Sequence, residues 1–342
     1  GFYQYVGKVT CISRIVVFQQ YVQYTMAVGI GSSCNCGIAV IDFISIFTEI
    51  FYSGCCSFRS KRLKSEAGGI MKIHFYGTGA SEGVPAIFCQ CENCKKIRKM
   101  GGNNYRSRTS SQIDDDLMID FSADVFDHMR YGNLDMSKIK NLIITHTHTD
   151  HFYPEELMHI AEPYAFGVGK RELHVYGNRE VCKRLEQVGA KYIQENLKIT
   201  EIHNFQELQI GNYRVKALPA EHDHMQECHL YIVRKDGKNL LYAHDTGYFP
   251  EETWKAIEKE YFSGVVLDCT CCAGPSYFES HMSLEDDVRV QKRMMETGSA
   301  DQKTVFIATH FVHTYGPFQD VLETACKPYH FLAAYDGMEA EI

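Results

Sequence analysis

One stretch limits what this chain can become: NLIITHTHTDHFY, residues 141–153. Leu142, Ile143 and Ile144 form an apolar run of β type that empties directly into His146, His148, Asp150 and His151. Polar groups at the end of a buried strand require partners, because each one left unpaired costs about 1–3 kcal/mol. A metal centre supplies them, since neutral imidazole nitrogen and carboxylate oxygen suit zinc, manganese or iron. Strand alternation aims His146 and His148 the same way. Asp150 and His151 then reach a neighbouring position from the turn beyond. The stretch predicts a metal site.

The chain has 342 residues, enough for one large domain or two modest ones with an ample core. Its net charge of −8 gives no bulk basic footprint for nucleic acid or an anionic membrane. Fourteen cysteines would suggest disulfides, but Cys89, Cys91 and Cys94, and again Cys269, Cys271 and Cys272, are clustered. Clustering suits metal ligation or reduced thiols better than a spread disulfide framework, and points to a reducing, cytoplasmic compartment.

Residues 1–70 differ in character from the rest. They carry few charges and show neither helical nor strand periodicity, and their most apolar run, Ile38 to Tyr52, is interrupted by Asp42 and Glu49. That run is short for a membrane span, and the order of regions expected of a signal peptide is missing. Met71 opens a crisp strand pattern, MKIHFYGTG. The expectation is that 1–70 lies outside the functional domain, as a mis-extended or accessory segment, and that 71–342 is the domain. Strands are expected at 72–76, 112–119, 141–145, 173–176, 213–218, 228–233, 239–243, 264–268 and 304–309, from β-branched and aromatic content bounded by turn residues. Helices are expected at 154–165, 178–195, 250–261 and 283–297. Two of these open on Pro-Glu-Glu, and the last on a capping-box spacing between Ser283 and Asp286. Several strands precede any helix, which predicts an α+β fold of two mixed sheets covered by helices.

Three more polar residues stand where strands end: His222 after YRVKALPA, Asp245 after NLLYAH and His310 after TVFIAT. With these in place the chain from 71 to 342 resembles the metallo-β-lactamase superfamily. HTHTDH has the form of its HxHxDH signature, and Asp120 in LMIDFSADV matches the aspartate that the superfamily places before it. The resemblance implies an αββα sandwich. It also implies one ion on His146, His148 and His222, a second on Asp150, His151 and His310, and Asp245 bridging them, with Asp120 orienting a ligand. Two divalent ions would make a locally positive hole in an acidic protein, suited to a small anionic substrate, with metal-activated water as nucleophile.

A further metal site is written in FCQCENCKK, where Cys89, Cys91 and Cys94 call for a soft tetrahedral ion and a fourth ligand, taken as His313 in THFVHTYG. Such a site is structural zinc. The turn GTGASEGVP, this C-x-C-x-x-C run and the THxxH pair resemble the phosphoribosyl cyclic phosphate phosphodiesterase subgroup. His281 in ESHMSLEDDV matches a histidine that this subgroup places near the phosphate, where it could protonate a leaving group. Arg106 and Arg108 are expected to be solvated rather than to bind phosphate. His244 before Asp245 and His224 beside His222 are departures from the pattern that bear on substrate preference. Rival readings are a tRNA 3′-end nuclease or a lactonase on the same fold, and a protein resembling pyrroloquinoline quinone biosynthesis protein B. Nucleic acid and membrane are not expected as partners, and a homodimer stays open. The residues do not choose among zinc, manganese and iron for the paired site.

Overall fold

The computed structural model describes residues 69–168, 172–188, 196–276 and 279–342. The expectation for residues 1–70 therefore lies almost wholly outside the described residues. Among the described residues, fourteen strands build two sheets of the same design. The first contains β1 (Lys72–Gly77), β2 (Ser110–Ile113), β3 (Leu117–Ile119), β4 (Asn141–Ile143), β5 (Leu173–Gly177), β6 (Leu197–Glu201) and β14 (Met338–Glu341), in the order β14-β1-β2-β3-β4-β5-β6. The second contains β7 (Glu207–Ile210), β8 (Tyr213–Pro219), β9 (His229–Lys235), β10 (Lys238–Ala243), β11 (Gly264–Asp268), β12 (Val305–Thr309) and β13 (Phe331–Ala333), in the order β13-β12-β11-β10-β9-β8-β7. In each sheet an antiparallel meander passes into parallel strands: β3 to β6 in the first, β10 to β13 in the second.

Burial explains the layering. Ile73, Phe75, Ile113 and Ile143 of the first sheet pack against Val215, Tyr231, Tyr242 and Ile307 of the second. The outer face of the first sheet is covered by α2 (Val125–Gly132) and α3 (Arg179–Gln187) through Val125, Val181 and Leu185. On the second sheet, α4 (Glu251–Ile257), α5 (Leu284–Thr297) and α6 (Gln319–Cys326) bury Trp254, Val290, Met294 and Leu322. Helix, sheet, sheet and helix thus form the expected four layers. Among the described residues no helix is long and apolar enough to cross a membrane.

Several boundaries differ from expectation for local reasons. The strand expected at 112–119 is two antiparallel strands, because Asp114-Asp115-Asp116 cannot sit inside a buried ladder and Asp114 turns the chain at φ 47°. Pro154–Ile160 is a 3-10 helix rather than the start of a long α-helix. Asp286 does accept from both the backbone N–H and the hydroxyl of Ser283, as the spacing at the start of α5 suggested. Cys94 lies inside a helix, α1 (Glu92–Met100), which Cys91 caps.

His128 on α2 is buried, with Nε2 3.0 Å from Ser107 Oγ. Burial lowers its pKa to about 4. The unfolded chain takes up this proton near pH 6.5, but the folded one resists it until about pH 4. Stability is therefore present above pH 6.5 and lost as pH falls through that window, by about 3 kcal/mol. His128→Gln is expected to narrow the gap between urea midpoints measured at pH 7 and pH 4.5; an unchanged gap would assign the acid sensitivity elsewhere.

Candidate metal centre

The site forms where strands from both sheets end. β4 is buried along its whole length, and beyond it the chain turns through Thr145–Phe152, held by His151 and Phe152 N–H donating to His148 C=O. β3 delivers Asp120, β8 leads to His222, β10 to His244 and Asp245, and β12 to His310. Three of these residues adopt left-handed backbone: Asp120 at φ 62°, Asp245 at φ 52° and His310 at φ 65°. Such conformations cost on the order of 1–3 kcal/mol each and persist where the surroundings impose them. They turn each side chain sharply off its strand and into a common space.

His146 Nε2 lies 2.9 Å from His148 Nδ1, which is 3.1 Å from His222 Nε2. Asp245 Oδ2 meets His146 Nε2 at 3.1 Å and His222 Nε2 at 3.2 Å. The same oxygen is 2.9 Å from His151 Nε2 and 3.9 Å from His310 Nε2. Asp150 Oδ2 closes the second group, 3.3 Å from His151 Nε2 and 3.5 Å from His310 Nε2. Each group brings its donor atoms within 4.8 Å of one another, and Asp245 belongs to both. All seven residues expected from the sequence are thus brought together.

Two of the atoms in this space, His151 Nε2 and His310 Nε2, are buried and make no hydrogen bond among the described residues. Protein groups leave the set unsatisfied, and a pair of divalent cations would satisfy it, so the residues fit the metals that the sequence implies. The charges agree. Burial opposes ionisation of Asp245, yet His310, His222, His146 and His151 hold its carboxyl well below the usual range. Burial, then His151, lowers His146 to about 3, leaving a neutral imidazole able to ligate.

The outward nitrogens are also held. His151 Nδ1 is 2.8 Å from Asp120 Oδ2, His146 Nδ1 is 3.1 Å from Thr145 Oγ1, and His310 Nδ1 is 2.8 Å from Thr270 Oγ1. Such outer partners fix ring orientation and tautomer. Asp120 is fully buried and also accepts from Thr145 N–H, which ties β3 to the loop after β4. His281 stands at the rim, its Nδ1 3.1 Å from Asp245 Oδ1 and 3.5 Å from Asp268 Oδ2. Burial works against its charge, but these two carboxylates raise its pKa to about 11.

The sequence reading missed Asp268. It is buried at the end of β11, accepts from Thr270 and Met282 N–H, and faces both His281 and His310. The strand-end rule that found His222, Asp245 and His310 applies equally to GVVLD and would have found it. His244 is buried, with Nε2 3.1 Å from Asp120 Oδ2. Two expectations need correction. Arg106 is not solvated: it is buried and donates to Thr78 Oγ1, Ala334 C=O and Gln319 Oε1. Arg108 is paired with Asp124, which occupies its guanidinium. His224 points to solvent beside Glu221, away from the cluster.

Away from this cluster, Cys89, Cys91 and Cys94 at the start of α1 and His313 beyond β12 also come within 4.8 Å of one another. His313 Nδ1 is 3.6 Å from Cys91 Sγ and 3.4 Å from Cys94 Sγ. The Cys94 N–H at the start of α1, followed by His313, lowers the Cys91 thiol to about 6. Among the described residues no cysteine forms a disulfide; Cys269 and Cys272 are buried in the second sheet's core, and Cys271 is buried as well.

Comparison with known proteins agrees with this geometry. Ribonuclease Z of Methanocaldococcus jannaschii is 26% identical over 162 residues, 45% of this chain and 44% of that protein. The chain thus spans less than half the length of this relative. The crystal structure of a diphosphatase from the PhnP family superposes with a TM-score of 0.62 at 20% identity, covering 80% of this chain and 98% of the other. Zinc-bound PqqB from Methylobacterium extorquens gives 0.61 at 13% identity, covering 79% and 100%. Residues 116–311, more than half of the chain, match the family described as a Beta-lactamase superfamily domain. The chain belongs to the metallo-β-lactamase superfamily of metal-dependent hydrolases.

Proposed function

We propose that this protein is a dinuclear phosphodiesterase acting on a small anionic phosphodiester, of the kind exemplified by a phosphoribosyl cyclic phosphate. The observation that carries the reading is Asp245: one of its oxygens touches four imidazoles and the other faces His281. His146, His148 and His222 would hold one divalent ion, Asp150, His151 and His310 the other, with Asp245 shared. When bound, such ions supply Lewis-acid stabilisation of a phosphoryl oxygen and a nucleophile at neutral pH. The protein's own part is to orient the ligands through Asp120, Thr145 and Thr270, and to hold a proton at His281. A protonated His281 keeps one proton against Asp245 and Asp268 and carries a second at Nε2, available to a leaving oxygen. The diphosphatase from the PhnP family supports a phosphate-bearing substrate. The wild-type protein, loaded with zinc or manganese, is expected to open cyclic phosphodiesters. Turnover of lactones or of tRNA precursors, without any on cyclic phosphodiesters, would overturn this reading.

A second reading rests on the ribonuclease Z relative. The acidic composition argues against RNA, but the match to a nuclease argues for it, so a tRNA precursor belongs beside the small substrates in the same assay. Efficient 3′-end cleavage would favour it.

We also propose that Cys89, Cys91, Cys94 and His313 hold a structural zinc. Thiolate ligation adds directly to folding free energy. Cys91→Ser is expected to lower zinc content by about one ion per chain and to reduce the melting temperature, while the His/Asp site still turns over. Unchanged zinc stoichiometry would remove these residues as ligands.

A further inference from the structure

His148 differs from the other imidazoles of the cluster. It is the exposed one, with 44% of its side-chain surface open, and it turns Nδ1 rather than Nε2 inward toward His146 and His222. Its Nε2 therefore faces out, where a ring so placed would be free to rotate away. The group that meets it is Asp223, whose Oδ2 lies 3.6 Å away.

Asp223 is itself braced. Its Oδ1 accepts from Met225 N–H at 2.9 Å, closing a tight turn directly after His222, and its Oδ2 accepts from Gln226 Nε2 at 2.8 Å. Gln226 Oε1 in turn accepts from Thr147 N–H and Oγ1–H, each at 3.0 Å, and from Asn178 Nδ2 at 3.2 Å. Asn178 caps α3 through Val181 N–H and donates to Glu227 C=O. One strut thus runs from the helix start, through Gln226, to both neighbours of the ligand positions: Thr147 beside His148 and Asp223 beside His222. A carboxylate behind a ligating imidazole fixes its orientation and raises its basicity.

We infer that Asp223 is the positioning residue for His148, locking the outermost ligand of the cluster and joining the loop of His222 to that of His146 and His148. The inference rests on the dinuclear metal reading above.

The test is a cobalt(II) titration of the metal-free wild-type protein, Asp223→Ala and Asp223→Asn, followed by visible absorption and by turnover. The band from thiolate-bound cobalt marks the cysteine site and serves as an internal control. Both variants are expected to bind one of the two His/Asp-site ions about 10–100-fold more weakly. The other ion and the thiolate band should be unchanged, and turnover should recover as cobalt is raised. Asparagine keeps a carbonyl oxygen for the Met225 turn but loses the charge and the second acceptor. If Asp223 only shapes the loop, Asp223→Asn will bind both ions as wild type does, and the inference fails; this holds even if Asp223→Ala does not fold. Wild-type protein that binds no cobalt outside the thiolate site would instead overturn the dinuclear reading itself.

Discussion

Asp245→Ala is expected to be the most damaging single substitution in the protein, lowering turnover by about 10³-fold or more and reducing the metal content of the His/Asp site. The shared carboxylate is the common neighbour of His146, His151, His222 and His310, so removing it loosens both groups at once. Loss of about 4 kcal/mol of transition-state stabilisation suffices for that factor, within the several kcal/mol that charge neutralisation at such a site provides. Alanine is also strained at φ 52°. Asp245→Asn separates the two effects, because asparagine tolerates the left-handed conformation and keeps the shape while losing the charge. Metal analysis beside steady-state kinetics checks the expectation. Near-normal turnover with a single ion lost would mean that the residue does not bridge.

His281→Ala should have an effect that depends on the leaving group. General acid assistance contributes roughly 10²–10⁴-fold, most where the departing oxygen is a poor leaving group. The variant should therefore lose nearly all activity on a ribose cyclic phosphate and little on bis(p-nitrophenyl) phosphate, whose phenolate leaves without a proton. Equal losses on the two would make His281 a structural partner of Asp245 and Asp268 rather than a donor.

The metal cluster was legible because its chemistry is local. His146, His148, Asp150 and His151 lie within six residues after an apolar strand, and the remaining residues each come just after a strand-like run, YRVKALPA, NLLYAH or TVFIAT. What stayed hidden was relational. Arg106 reads as a surface cation among Asn, Tyr and Ser, and only the docking of Ala334 and Gln319 from the far end of the chain buries it. Strand β6 is exposed along four of its five residues, and β14 alternates glutamate with small or apolar residues over four. Neither offers the hydrophobic run by which a strand is recognised; both exist because a neighbouring strand presents an unpaired edge. Helix α2 carries Phe126, Met129 and Tyr131 on its exposed side, which blurs the apolar stripe that would have marked it. Asp223 carries no signal at all by itself, since its role comes from the turn that aims it.

The arrangement of the two sheets has a kinetic consequence. The candidate ligands come from strand ends in both halves of the sandwich, from His146 in the first sheet to His310 in the second. No local segment of the chain holds more than a fragment of either group, and the fragments meet only after long loops have closed and the sheets have docked. Cations captured there act on a contact that forms late. They would leave the rate of folding nearly unchanged and instead slow the escape from the native state, so that metal confers persistence on the fold rather than guidance toward it.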